Sequence, residues 1–309
     1  MTNAVLQTEI ESTGPPVLAA ATPEPPRLAE VRRWAPHLAA ALGFCLLFWA
    51  PARNTALAWW TEPDAGHGLL LAPLAVYLAW KRGLLADPRG QRILGAAMLV
   101  AAVLLRYVSG LAAELFTMRA SMLLALFGLV VFWLGVRQLV HWWLPVALLL
   151  LAMPLPAVVL GSLALPLQFK ASQMGAALLE WRQVPVLLDG NVIRLPGHTL
   201  FVTEACSGLR SLASLLALGV LIGGLWLRYP ASRVLLVLAA LPVAILLNGV
   251  RVFLTGFLVF FVDPKLGEGF MHLTEGWIIF VVAFGILGAV AWLVARAEGW
   301  VAQRREVTA

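Results

Sequence analysis

The chain has 309 residues, of which 61% are hydrophobic and 12% charged, with a mean hydropathy of +0.88 and a formal charge of +6. Soluble domains carry about 25% charged residues, so the composition excludes a soluble globular protein and describes a polytopic membrane protein. The positive surplus flanks the apolar runs, where membrane topology accounts for it, and gives no sign of a nucleic-acid surface.

Residues 1–33, rich in Pro, Ala, Thr and Glu without an apolar period, are expected to form a disordered cytoplasmic tail. No basic stretch precedes an apolar core there, so the segment does not read as a signal peptide. Residues 34–296 form the transmembrane domain and 297–309 a cytoplasmic C-terminal tail. Within that domain, windows of about 20 apolar residues, enough to cross about 30 Å of hydrocarbon, mark eight candidate spans. They are 35–52, 66–81, 92–113, 116–135, 139–161, 207–227, 233–252 and 273–295. The expected fold class is an all-α polytopic membrane protein of about eight transmembrane helices. With both termini inside, 13 Lys and Arg fall in inner segments and 6 in outer ones, the asymmetry that the positive-inside rule requires. Arg106 lies within the third span, where Glu114 is a candidate partner and contact with a substrate helix is another.

Beyond the fifth span the pattern changes. Residues 162–182 mix apolar positions with Gln168, Lys170, Gln173 and Glu180, which suggests a helix along the outer interface. Residues 185–205 then read as a small extracytoplasmic β-meander, with runs at Val186–Leu188, Val192–Leu195 and Leu200–Val202 separated by turns at Asp189-Gly190-Asn191 and Pro196-Gly197-His198. The meander delivers the chain to Cys206 in Glu204-Ala-Cys206-Ser207-Gly-Leu-Arg210, where the sixth span begins. A thiol at a helix N-terminus, with Arg210 one turn on, is favoured as thiolate. The other cysteine, Cys45, falls in the first span and reads as a small buried apolar residue.

The seventh span starts inside near Arg233 and, at 1.5 Å per residue, regains the outer interface near Asn248 and Arg251, while the eighth starts outside at His272. Cys206, Arg251 and His272 therefore share a depth at the outer leaflet. A thiolate can attack a peptide carbonyl to give an acyl-thioester, an Arg can stabilise the oxyanion, and a His can shuttle the proton. Each residue also has a plainer role open to it: Arg251 snorkelling to headgroups, His272 hydrogen-bonding at the interface, Cys206 packing a helix start.

Three blocks, Glu204-Ala-Cys206-Ser207-Gly-Leu-Arg210, Asn248-Gly-Val-Arg251 and His272-Leu-Thr-Glu-Gly-Trp277, resemble the signature blocks of the exosortases and, more distantly, the archaeosortases. The likeness extends to Gly66-His67-Gly68, Met153-Pro-Leu-Pro156, Pro166-Leu-Gln168 and Gly190-Asn191-Val-Ile193, and so covers nearly the whole chain from about residue 40. It implies a membrane cysteine transpeptidase of the bacterial inner membrane, with its active site on the outer face. Its partners would be exported proteins bearing a C-terminal sorting signal, made of a Pro-Glu-Pro-like motif, a transmembrane helix and a basic cluster. Cys206 would be the nucleophile, with Arg251 and His272 its catalytic partners. Archaeosortases tend to carry Arg at the third position, so His272 points to the bacterial branch. The acceptor, whether water, an amine, or a lipid or polysaccharide, is left open.

Glu204, Ser207, Arg210, Asn248, His67 and Trp277 are accessory or substrate-binding candidates. The role of His67 is open, since it begins a span and could simply bond to a loop carbonyl. No cofactor or metal is expected. Pro23-Glu24-Pro25 repeats the sorting tripeptide in the tail, with no span directly after it, and reads as coincidence. The competing function is a transporter or channel, which predicts polar residues along a midplane path and inverted repeats; here the polar residues gather at one face. A serine or metallo-protease is disfavoured by the absence of Gly-x-Ser-x-Gly and His-Glu-x-x-His.

Overall fold

A computed structural model describes residues 26–62, 64–202, 209–264 and 269–308, with the side chains of 26–33, 157, 209–211, 269–277 and 305–308 outside the description. The chain divides into two compact units at Phe48. The first contains the N-terminal part of α1 (Pro26–Thr61), whose described side chains are mostly exposed. Cys45 is among them, so the buried packing role read from the sequence is corrected: it lies on an outward face of a single helix. Helix α1 starts at Pro26, and Pro23-Glu24-Pro25 lies outside the described residues.

The second unit holds the remaining helices and a small sheet. Helices α2 (Gly68–Arg82), α3 (Arg92–Leu111) and α4 (Leu115–Leu134) fall where the apolar windows predict them. The α3–α4 pair packs closely because Gly95 lies on the backbone of Phe132, leaving no room for a Cβ, and Gly128 fits tightly against Met98 and Leu99. Glu114 caps α4, accepting from the backbone N–H groups of Phe116 and Thr117 and from the Thr117 hydroxyl. Its carboxylate is thus committed to the helix end and does not partner Arg106, against expectation. Arg119 lies one turn into α4 and is buried.

The fifth expected span, 139–161, is broken. Short helices α5 (Val136–His141) and α6 (Trp143–Leu151) are followed by a non-helical stretch and then α7 (Ala157–Trp181). At about 1.5 Å per residue, the nine residues of α6 are too short to cross a bilayer. The cause is Pro154 and Pro156: Pro156 has no N–H to meet the carbonyl of Ala152, and each proline pushes the residue before it out of helical geometry. The freed carbonyls find side-chain donors, Trp59 Nε1 at 2.7 Å from the Ala152 oxygen and His67 Nε2 at 3.1 Å from that of Leu151.

Helix α7 covers the segment expected to lie along the outer interface. It runs alongside and parallel to α9 (Pro230–Phe261), with Gly175 against Val252, Gly249 against Met174 and Gly256 against Leu179. Its polar Gln168 and Ser172 are buried. Helices α8 (Leu209–Trp226) and α10 (Gly269–Thr308) complete the bundle, and apolar residues of α7, α8, α9 and α10 share one core centred on Leu215, Leu236, Ala240 and Leu287.

The meander is present as expected. Strands β1 (Leu187–Asp189), β2 (Val192–Leu195) and β3 (His198–Phe201) pair antiparallel in the order β1-β2-β3. The register pairs Asp189 with Val192 and Leu195 with His198, so both connections have two residues, with Gly190 (φ 62°) and Gly197 (φ 77°) taking the left-handed positions. The sheet lies along the second half of α7 and the end of α9, with Ile193, Leu195, Leu179, Val252 and Val259 forming their common core. Among the described residues, five helical segments are long and apolar enough to cross a membrane: 34–61, 92–111, 115–134, 230–261 and 278–304.

Candidate functional site

Helix α9 carries two buried faces. Gly249, Val252, Gly256 and Val259 face α7 and the sheet, whereas Ala240, Ala244 and Asn248 continue the face that packs on α8 and α10. Asn248 is 6% exposed, Arg251 half-buried and Thr255 9% exposed, a polar stripe at helical spacing on an otherwise apolar helix. The Thr255 hydroxyl donates to the Arg251 carbonyl at 3.0 Å. A narrow, water-sized cavity lies between the three helices, lined by Leu215 of α8, Asn248 and Arg251 of α9, and Phe280 and Ala283 of α10.

The heights of these helices follow from their antiparallel contacts. Gly223 lies beside Arg233 and Gly219 beside Val237. Carried along the pair, that register sets the first residue of α8, Leu209, level with Leu247 of α9. At the opposite end the Glu298 carboxylate, 6% exposed, accepts from the N–H groups of Arg228 (2.9 Å) and Tyr229 (3.0 Å) and so ties α10 to the start of α9. The same register places Ala244 opposite Ala283, where both line the cavity, and brings the backbone of Gly276 level with Arg251.

Of the sequence-derived candidates, Cys206, Glu204 and Ser207 lie outside the described residues, as do the side chains of Arg210, His272 and Trp277. Asn248 and Arg251 are brought together at the cavity. His67 is elsewhere: its Nε2 meets the Leu151 carbonyl at the break after α6, the plain role that a span-starting histidine could have.

Sequence reading gave no role to two polar features. One is Glu298, whose acidic side chain in a basic segment was the available signal. The other joins α7 to the meander: Asn191 Nδ2 donates to Gln168 Oε1 (3.3 Å) and to the Val202 carbonyl (3.1 Å), while the Val202 N–H donates to the Asn191 carbonyl (2.9 Å).

Fold and site together define a polytopic helical membrane protein with a polar stripe on α9 facing α8 and α10. Residues 59–289 match the family model of the transmembrane exosortases, and the chain belongs to that family. No curated protein and no solved structure matches the chain.

Proposed function

We propose that the chain is a membrane cysteine transpeptidase that cleaves a C-terminal sorting signal of exported proteins at the outer face of the bacterial inner membrane. Cys206 attacks the scissile carbonyl to form an acyl-thioester, Arg251 stabilises the oxyanion and His272 moves the proton to the leaving amine. The observation that carries this reading is the height of Arg251. By the register of α8 and α9, the half-buried Arg251 stands one turn beyond the level of Leu209, and Cys206 is three residues ahead of Leu209 in the sequence. By the register of α9 and α10, position 272 is level with Thr255, one turn or about 6 Å above Arg251, within reach of an arginine side chain. Family membership supports the same chemistry.

The orientation belongs to this proposal. Helices α7 and α9 run outward, α8 and α10 inward, so the meander and the end of α9 at Phe261 face outside. Arg228, Arg233, Arg296 and Arg304 gather at the inner ends, as the positive-inside rule prefers. With α7, 25 residues long, making the fifth crossing in place of 139–161, eight helices cross and both termini are cytoplasmic.

The test is processing of an exported reporter carrying a Pro-Glu-Pro-type tail. Cys206→Ser and Cys206→Ala should insert normally and leave the reporter uncut, because a hydroxyl does not supply a low-pKa thiolate. Cutting at the native rate by either variant removes Cys206 from the mechanism.

A further inference from the structure

Two arginines of the α3–α4 hairpin have no protein group to take their charge. Arg119 is 6% exposed, its Nε is buried without a hydrogen-bond partner, and it makes no hydrogen bond or ion pair among the described residues. Arg106 is half-buried, and its Nε is orphaned in the same way. A buried charge left unpaired is strongly destabilising, and arginines within spans turn to partners in place of lipid tails.

The hairpin brings the two to one height. Gly95 on Phe132 and Gly128 on Met98 and Leu99 set Arg119 level with Val108, only about 3 Å nearer the connecting turn than Arg106. Arg106 extends along its own helix toward Gly110, where a Cβ would come within 3.0 Å of its Nη1. Each helix has 20 residues, enough for about 30 Å of hydrocarbon. Counted from the hairpin's end at Leu111 and Leu115, both arginines lie about 6–8 Å inside it, and a side chain of that length reaches the headgroups.

The other polar groups at this height are spent. Ser109 and Ser121 donate to the carbonyls of Arg106 and Met118 in their own helices. Glu114 attracts Arg119 without pairing with it, since its two oxygens accept from the N–H groups of Phe116 and Thr117 and from the Thr117 hydroxyl. Around them the surface is apolar and exposed, at Leu104, Tyr107, Leu111 and Leu115. Two unspent cationic forks beside apolar surface are the complement of a phosphate carried on acyl chains.

We propose that Arg119, together with Arg106, binds the phosphodiester of an anionic phospholipid at the connecting end of the α3–α4 hairpin. A guanidinium fork suits two phosphate oxygens at once, and the apolar residues alongside take the acyl chains. No bond is made or broken, and the site is independent of the chemistry assigned to Cys206.

The test titrates the purified full chain in a neutral detergent with phosphatidylglycerol and, in separate arms, with inorganic phosphate and with a Pro-Glu-Pro peptide. Thermal melting and native mass spectrometry of retained lipid are the readouts. A ligand that binds only the folded state raises the melting temperature with its occupancy. The native protein should show a saturable rise and retain phosphatidylglycerol. Arg119→Gln should lose both, and Arg106→Gln should weaken binding by about ten-fold, as loss of a charge-assisted contact does. Without lipid, Arg119→Gln should melt no lower than the native protein, because an unpaired buried charge has been removed. Arg106→Gln carries the measurement if Arg119→Gln does not accumulate. Arg137→Gln, which removes an exposed charge from α5 beyond the far end of α4, should bind as the native protein does. A rise of equal size in the native protein and Arg119→Gln overturns the site, and so does a loss in Arg137→Gln as large as that in Arg119→Gln. A rise with inorganic phosphate and no retained lipid overturns the phospholipid and assigns the arginines to free phosphate. A rise with the peptide and none with phosphatidylglycerol overturns it in favour of a peptide carboxylate.

Discussion

Arg251 owes its height to helix geometry, and it lines a water-sized cavity between α8, α9 and α10. An arginine facing lipid would lose its charge-stabilising partners, but this one opens onto a cavity shared with Asn248 and Phe280. Its planar fork can hold two acceptor positions at once, which a lysine ammonium on a flexible stem does not reproduce. Arg251→Lys should therefore insert and melt like the native protein yet process the reporter about ten-fold more slowly or worse. Full activity in the lysine variant would reduce Arg251 to a fixed charge. At this scale the sequence was informative because chemistry-bearing residues stand out in an apolar chain: Arg251 and Asn248 were legible from spacing alone. Asn191 and Gln168 stood out only as members of blocks that resemble a family, with no role attached. Their function is a set of bonds between an α-helix and a β-turn 23 residues apart, and neither residue type is unusual where it sits.

Among the elements, the largest departure from the sequence reading is the broken fifth span. Hydropathy summed over 139–161 registers apolar character but not the missing N–H of Pro156, and it therefore ran α6 into α7. The structure meets the resulting orphan carbonyl of Ala152 with Trp59. Trp59→Phe keeps most of the ring and removes the donor, so it should destabilise the protein by about 1–3 kcal/mol. Thermal melting in one detergent would read this, and an unchanged midpoint would mean that another donor takes over. The meander, in contrast, was read nearly to the residue, since Asp-Gly and Pro-Gly mark two-residue turns wherever they fall between β-formers.

A second element-scale expectation concerns the start of α4. The Thr117 hydroxyl, followed by the backbone N–H groups of Thr117 and Phe116, holds the Glu114 carboxyl below its ordinary value. A lowered value in the folded state means that the cap stabilises fully above the ordinary carboxylate range and fades as pH falls through the lowered value. The melting difference between native protein and Glu114→Gln should thus be largest near neutrality and vanish in acid. A difference independent of pH would show that the carboxylate charge contributes nothing to the cap.

For the whole molecule, the proposed function makes substrate recognition a matter of height. If the sorting signal's helix crosses the bilayer beside α8–α10, its scissile motif meets the thiol at a depth fixed by the two helices together, and positioning entropy is lost before the chemistry starts. Inserting about six residues between motif and helix adds roughly 20 Å of extended chain and should sharply reduce cutting of the reporter. Equal cutting across a spacer series, with export verified for each member, would show that the motif is captured as a free peptide. The class of molecule was legible from composition, and the family from the order of its blocks. The mutual heights of α7, α8, α9 and α10 were not, because the spacing of Gly219 with Gly223 and of Gly249 with Gly256 marks a packing face without naming the partner helix or its register.

Glu298 also imposes an order in time. Its carboxylate closes a turn made 70 residues earlier, at Arg228. At roughly 5–20 residues per second of synthesis, the α8–α9 hairpin is made several seconds before its acceptor emerges. During that interval the Arg228 and Tyr229 amides lack the carboxylate that later fixes the height of α9 against α10. The alignment of the site is therefore a late event in biogenesis, completed only after α10 has inserted, and a nascent chain halted between these points would hold Arg251 without a fixed counterpart.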